Sequence, residues 1–393
     1  MPEMTPGGAI LTINSGSSSL KFALFEPGKQ LKALLRGEIE DLTSHPHLVA
    51  HSADGTAAAD QRWAEEAPPF GTVLRAVLAV AGGARLSAVG HRIVDGGDAF
   101  TSPEIITPSL LTALEALKPL DPLHLPDNLA PVRAVAEAMP AVKQVACFDT
   151  AFHRAMPEVA TLIALPRAFA ALGVRRYGFH GLSYEYIATA LQGAAPHLAS
   201  GRTIVAHLGS GASLCAMRDG ASIATTMGFS TLDGLVMATR CGTLDPGVIL
   251  YLLRQGHCAA DIETILYHRS GLLGVSGISG DVRVLLASDD ANAGQALDLF
   301  SYRIACEAGG LIPALGGLDG LVFTAGIGER APAIRAAVCA RLAWLGLTLD
   351  HEANEANAAC ISAPGSQIEV RVIPTDEETT IARHTQAALA ANQ

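Results

Sequence analysis

Hydrophobic positions recur along the chain in two rhythms. Short, nearly continuous apolar runs at residues 9–13, 20–25, 88–94 and 142–148 predict strands. Apolar residues spaced every three or four positions at 72–81, 108–117 and 126–138 predict helices. The second half repeats the alternation: residues 203–207 and 214–218 read as strands followed by helices, and 321–325 leads into a Gly-rich turn. That turn, Gly326-Ile327-Gly328-Glu329-Arg330, opens a helix with Pro332 in its first turn and apolar Ile334, Val338, Leu342 and Leu345. Residues 376–390 form a closing helix whose N-terminal end carries Glu377 and Glu378. Strands alternating with helices through both halves indicate an α/β protein.

Two strand pairs enclose the same kind of tip. Ile13-Asn14-Ser15-Gly16-Ser17-Ser18-Ser19-Leu20-Lys21 and His207-Leu208-Gly209-Ser210-Gly211-Ala212-Ser213-Leu214 each run from a β-rich segment through Gly and Ser into a second apolar segment. Glycine permits left-handed backbone angles, so successive amides can converge on one anion. A single Gly/Ser hairpin tip is ordinarily a plain turn. Two at corresponding places, the first followed by the cation Lys21, suggest a duplicated phosphate clamp. The string G-x-x-x-x-G-K-[ST] of a Walker loop does not occur. The Gly326–Arg330 turn, taken alone, is an ordinary strand-to-helix connection, yet its open N–H groups could receive part of a nucleotide.

At 393 residues the chain exceeds what one core usually supports, and two domains follow. The net charge of −11 argues against nucleic acid as a partner. An acidic protein can still hold a polyanion where its few cations converge. Seven cysteines without C-x-x-C pairs indicate reduced thiols; Cys147 and Cys215 read as core packing. The most apolar long stretch, 72–89, is interrupted by Arg75 and Arg85, so no membrane span is expected. Residues 1–8 lack the pattern of a secretion signal, and a cytoplasmic protein is expected.

Several polar residues stand in unusual places. Arg92 ends a hydrophobic strand beside Gly96-Gly97, where a guanidinium is better suited to gripping an anion than to packing. Arg240 lies in the loop Thr239-Arg240-Cys241-Gly242-Thr243, Asp149 closes the strand ending at Phe148, and His180 sits between Gly178 and Gly181. Singly, a surface arginine, a capping aspartate or a satisfied histidine explains each. Together they read as a site.

These strings resemble the acetate and propionate kinases, of the sugar kinase, Hsp70 and actin superfamily. The resemblance runs from about residue 9 to residue 384 and includes Pro122-Leu123-His124, Thr226-Met227-Gly228-Phe229, Ser270 to Ser279, Phe323 to Glu329, and Val372-Ile373-Pro374-Thr375. It implies two duplicated ribonuclease H-like (actin-like ATPase) domains with a cleft between them. Residues 1–150 would form the first domain, with a C-terminal helix at about 378–393 returning to it, and 151–377 the second. It also implies a homodimer, ATP and ADP as co-substrates, Mg2+ with Mn2+ as an alternative, and a short carboxylic acid as acceptor.

Carried over residue by residue, the resemblance associates Asn14 and Glu377 with the metal and Lys21 with the nucleotide phosphates. The nucleotide-contacting stretches would be His207, Leu208, Gly209, Ser210 and Gly211; Asp281, Val282 and Arg283; and Gly326, Ile327, Gly328, Glu329 and Arg330. Arg92 would hold the substrate carboxylate, Asp149 would be the active-site acid, and His180 with Arg240 would stabilise the transferring phosphoryl group. Val94, Leu123, Phe179 and Thr231 would line the alkyl pocket. One methylene discriminates by only about 1 to 3 kcal/mol, so acetate and propionate both fit.

The chain departs from the usual family pattern at Ser210 (for Asn), Asp95 (for His), Leu125 (for Asn), Leu182 and Tyr184 (for Thr and His), Thr243 (for Asp) and Arg330 (for Asn). Thr231 stands where Pro is common. Two other readings compete: a kinase for a neutral hydroxylated acceptor, with Asp149 as base, and a nucleotide-dependent conformational protein without acyl transfer. The cations Arg92 and Arg240 speak against the first, and the lack of a peptide-binding extension against the second.

Overall fold

The computed structural model describes residues 8–16, 19–42, 45–63, 70–81, 85–118, 121 and 124–392. It comprises two compact units, Met1–Ala151 with Asp376–Gln393, and Phe152–Thr375.

The first unit holds β1 (Ala9–Ser15), β2 (Leu20–Glu26), β3 (Lys32–Glu40), β4 (His47–Ser52), β5 (Ala57–Arg62), β6 (Leu86–Ile93), β7 (Glu104–Ile105) and β8 (Lys143–Phe148). They form one sheet in the order β5-β4-β3-β2-β1-β6-β8-β7. The run from β5 to β1 is antiparallel, and β1, β6 and β8 are parallel. Every residue of β1 is buried because the strand is covered on both faces. Leu11 and Ile13 pack with Val73, Val77 and Val135 from the helices Phe70–Val80 and Leu125–Ala138. Ile10, Ala23 and Phe25 pack instead with Ala382 of the C-terminal helix Glu377–Ala391. That helix comes so near β6 that a Cβ on Gly90 would stand 2.1 Å from Thr385 Oγ1.

The second unit holds β9 (Arg202–Leu208), β10 (Ala212–Arg218), β11 (Ala221–Thr225), β12 (Gly320–Thr324) and β13 (Glu369–Val372), in the order β11-β10-β9-β12-β13. Here too an antiparallel meander adjoins two parallel strands. This order repeats β3-β2-β1-β6-β8 of the first unit, so the duplication suggested by the two hairpins extends to the sheets. The helix Gly181–Ala194 buries Tyr184, Ile187 and Leu191 with Val205, Cys215 and Met217. The cysteines 147 and 215 are both buried, and burial pushes the Cys215 thiol up to about 12.

Several elements differ from the expectation. β3, β4 and β5 carry charged or histidine residues on an exposed face, which breaks the apolar run that marks β1 and β2. β10 is followed first by β11 and the loop 226–245, and only then by a helix, Pro246–Arg254. The Gly326 turn is itself a short helix, Ala325–Arg330. Ala331 leaves the helical region (φ −116°, ψ 81°) because Pro332 follows it, and Pro332–Leu342 begins anew, with Leu345 in a 3-10 turn beyond.

Candidate functional site

Each unit gathers its own set of polar residues around its Gly/Ser hairpin. In the first unit Asn14 and Lys21 are cross-strand partners in β1 and β2, so their side chains share one face. Arg92 is next to last in β6, and Asp149 follows the adjacent strand β8 directly. Arg92 Nε and Nη2 donate to Asp149 Oδ2 at 2.9 and 2.6 Å, and Nη1 donates to Asn14 Oδ1 at 3.3 Å. Asn14 Nδ2 donates in turn to Glu377 Oε2 at 2.8 Å and Glu378 Oε1 at 3.2 Å. The structure thus joins Asn14, Arg92, Asp149 and Glu377 in one network and adds Glu378.

The electrostatics follow from burial and compensation. The Arg92 side chain is 15% exposed and that of Asp149 is fully buried. Burial opposes the Arg92 charge, but the carboxylates of Asp149, Glu377 and Glu378 outweigh it and hold the guanidinium firmly protonated. Burial and the neighbouring Glu377 raise the pKa of Glu378, partly offset by Lys21 and the Asn14 hydrogen bond. The oxygens of Asn14, Glu377 and Glu378 suit a hard cation. Among the described residues no three acidic, His or Cys side chains group into a complete metal shell. This donor set fits a magnesium ion that takes most of its ligands from phosphate and water.

Asn128 escaped the sequence reading, and Asp95 stood there only as a departure from the family pattern. Asn128 accepts from the Val94 N–H at 2.8 Å and donates to the Ser15 carbonyl at 2.9 Å, tying the end of β6 to the hairpin tip. Asp95 is fully buried, with Oδ1 accepting from the Gly97 N–H at 2.7 Å. Burial pushes its carboxyl up to about 6, against the Gly97 hydrogen bond and with help from Asp121 and Asp98. Val94 is buried. Ser17, Ser18, Pro122 and the predicted pocket residue Leu123 lie outside the described residues.

In the second unit His207 is next to last in β9 and faces Ser213 of β10 across the hairpin. His180 begins the helix Gly181–Ala194 in a left-handed conformation (φ 59°, ψ 25°), unusual for a residue with a Cβ. Its ring stacks on His207, with centroids 4.1 Å apart and planes 16° apart. His180 is held by a serine of β10, the cross-strand partner of His207, and His207 by a serine of the helix that His180 precedes. His180 Nδ1 and Ser213 Oγ lie 2.8 Å apart, as do His207 Nδ1 and Ser183 Oγ. Ser213 continues to the Tyr184 hydroxyl at 2.5 Å and Ser183 to Thr375 Oγ1 at 2.8 Å.

His180 Nε2 and Arg240 converge on the hairpin tip. A Cβ added to Gly211 would lie 3.2 Å from His180 Nε2 and 3.8 Å from Arg240 Nη2. The Arg240 loop is clamped from several sides. Arg240 Nη1 donates to the Thr231 carbonyl at 2.9 Å, Ala238 N–H to the Ser210 carbonyl at 3.1 Å, and Ser270 N–H to the Thr239 carbonyl at 2.9 Å. Gly271, at φ +62°, approaches so closely that a Cβ would stand 2.7 Å from the Arg240 carbonyl. The Ser270–Ser279 motif therefore seats Arg240. Thr231 is buried against this loop, and Phe179 is buried with its carbonyl accepting from His153 Nε2 at 2.9 Å.

The other nucleotide candidates surround the hairpin or flank the Arg240 loop. Thr324, just before Ala325–Arg330, pairs with His207. A Cβ on Gly209 would meet Ala325 Cβ at 3.9 Å. Gly326 and Arg330 are exposed and Gly328 is buried. Glu329 Oε1 accepts from the Thr375 N–H at 3.1 Å. The fully buried Arg335, absent from the sequence reading, donates to the Gly328 and Glu329 carbonyls, each at 2.9 Å, and so braces that helix end. Asp281 caps Val282–Leu286 by accepting from the Arg283 N–H at 2.8 Å; Val282 is buried and Arg283 exposed. Gly280 lies against the Arg240 loop, where a Cβ would meet the Ala238 carbonyl at 2.8 Å.

The repeated strand order and the paired hairpins define a two-domain α/β protein of the actin-like ATPase class. Residues 9–383 match the model of the acetokinase family. The acetate kinase of Rhodopseudomonas palustris (strain TIE-1) is 52% identical over 390 residues, covering 95% of this chain and 97% of that protein. The acetate kinase of Rhizobium meliloti is 50% identical over 389 residues, covering 98% and 99%. Among solved structures, the acetate kinase of Porphyromonas gingivalis superposes with a TM-score of 0.84 at 36% identity, covering 97% of this chain and 99% of that one. A propionate kinase from Francisella tularensis gives 0.87 at 35% identity, covering 96% and 98%. The chain belongs to the acetokinase family.

Proposed function

We propose that the chain transfers the γ-phosphoryl group of ATP reversibly to acetate, and also to propionate, by direct in-line attack of a carboxylate oxygen, giving ADP and the acyl phosphate. The match to acetokinases along nearly the whole chain carries this reading. A carboxylic acid is already ionised at neutral pH, so the nucleophile needs no general base. The obstacle is repulsion between the acid and the polyphosphate, with charge spreading over the equatorial oxygens of a loose transition state.

Residue roles follow from that obstacle. Arg92 binds the substrate carboxylate, and Asp149, whose Oδ2 takes two hydrogen bonds from Arg92, orients it. Asp149 is therefore poorly suited to be the base that a neutral hydroxyl acceptor would require. His180 and Arg240, converging on Gly211, stabilise the phosphoryl group in transfer. Lys21 and the stretches 207–211, 281–283 and 326–330 bind the nucleotide, and Val94, Leu123, Phe179 and Thr231 contact the alkyl group. Mg2+, or Mn2+ in its place, held with help from Asn14 and Glu377, supplies neutralising charge to the phosphate oxygens.

A homodimer in the cytoplasm, with neither nucleic acid nor membrane as partner, belongs to the same proposal. Among the described residues no helix is long and apolar enough to cross a membrane. The test is to trap acyl phosphate with hydroxylamine across acetate, propionate, butyrate and glycerol. Hydroxamate from acetate and propionate is expected. ATP turnover with glycerol alone would overturn the reading.

A further inference from the structure

We propose that Ser213 and Tyr184 are positioning residues that fix the proton of neutral His180 on Nε2, so that the ring offers a hydrogen-bond donor at the tip of the β9–β10 hairpin. Ser213 is fully buried, and its hydroxyl lies 2.8 Å from His180 Nδ1 and 2.5 Å from the Tyr184 hydroxyl. Tyr184 is also fully buried, one helical turn beyond His180, and its N–H donates to the His180 carbonyl at 3.1 Å. A phenol is the stronger donor of the two hydroxyls. Tyr184 therefore donates to Ser213 Oγ, and the Ser213 O–H in turn donates a hydrogen bond to Nδ1, which accepts it as the unprotonated ring nitrogen. The ring proton is left on Nε2, the nitrogen 3.2 Å from where a Gly211 Cβ would stand. Stacking on His207 fixes the ring plane, and the serine fixes its rotation within that plane.

The consequence for catalysis rests on the phosphoryl-transfer reading, whereas the ring's protonation does not. A neutral Nε2–H donor beside Arg240 can follow charge as it develops on the transferring group without adding a second cation to the hairpin. The departure at Tyr184 thereby gains a physical reason, since its phenol orders a serine that by itself could donate or accept.

The experiment is nitrogen-15 NMR of the full chain labelled at histidine, without substrate, with His180 assigned by its absence in His180→Gln. A pyrrole-like Nε2 and a pyridine-like Nδ1 are expected in the wild type. Both Tyr184→Phe and Ser213→Ala are expected to give a mixture of tautomers. In the hydroxylamine assay, Ser213→Ala should lower kcat by about 10- to 100-fold with both KM values little changed, the size of effect seen when a metal-bound histidine loses the partner that fixes its tautomer. Tyr184→Phe should lower it less, and Ser213→Thr, which keeps the hydroxyl, should restore most of it. A wild-type ring protonated on Nδ1, or a tautomer indifferent to both variants, overturns the proposal. A wild type that forms no acyl phosphate yet keeps the Nε2 proton overturns the reaction assignment and upholds that of the ring.

Discussion

The two units build their polar clusters on the same strand order but hold them by different means. In the first, Arg92 is gripped by the buried carboxylate of Asp149 and linked through Asn14 to Glu377 and Glu378, so position is set by charge. In the second, Arg240 donates to a backbone carbonyl, and His180 and His207 are held by serine hydroxyls. A charge network keeps its arginine protonated and in place while lowering the net positive field. The Thr231 carbonyl that accepts from Arg240 Nη1 is neutral and adds no opposing charge of its own. In the function proposed above, the first unit orients a substrate carboxylate and the second confronts the phosphoryl charge.

The largest effect expected from breaking this contrast is on turnover. Arg240→Ala should reduce kcat on the order of 10³-fold or more, as for other arginines that stabilise a transferring phosphoryl group. A loss below tenfold in the hydroxamate assay would reject that role. Arg92→Ala should act on both binding and folding. It should raise the KM for acetate, and it leaves Asp149 buried without its arginine, a change that costs about 3 to 5 kcal/mol. Urea unfolding measures the second effect, and a rise confined to the KM for ATP would refute the first.

Acid should separate the units more finely. His91 in the first unit and His153 in the second are buried, and burial pulls each from 6.5 to about 4, partly countered by hydrogen bonds to Gln144 and Phe179 respectively. Between those limits the unfolded chain binds a proton that the folded chain refuses, so stability is lost as pH falls through that window, by about 3 kcal/mol for each histidine. Asp95 in the first unit has the opposite sign. Its carboxyl, raised from 3.8 to about 6, takes its proton earlier in the folded state, so its contribution to stability rises as pH falls through 6. Hydrogen exchange from pH 7 to 4.5 should therefore show the second unit weakening before the first. Asp95→Asn should narrow the difference, leaving what the raised Glu378 pKa contributes with the same sign, and equal weakening in the wild type would contradict this account. The smallest effect expected is that of Gly90→Ala. The added Cβ would meet Thr385 Oγ1 at 2.1 Å, and overpacking of this kind costs about 1 to 3 kcal/mol. An unchanged urea midpoint would show that the C-terminal helix can shift away from β6.

What the sequence determined by itself was whatever depends on neighbours in the chain. The apolar runs of β1, β2, β6 and β8 were legible because those strands are buried through most of their length, and both hairpins because Gly and Ser mark a tight tip between apolar segments. β3, β4 and β5 were not, since one exposed face interrupts the apolar pattern with charge and alanine. Arg92, Asp149, His180 and Arg240 could be picked out as polar residues in unusual places, but which side chains each would meet could not. Asn14 meets Glu377 across 363 positions, Ser213 lies 33 positions from the ring it holds, and the Ser270 motif reaches back to seat Arg240. Tertiary structure alone decided those pairings, because strand order and helix packing bring distant side chains within hydrogen-bond reach, and no local periodicity encodes which ones will meet.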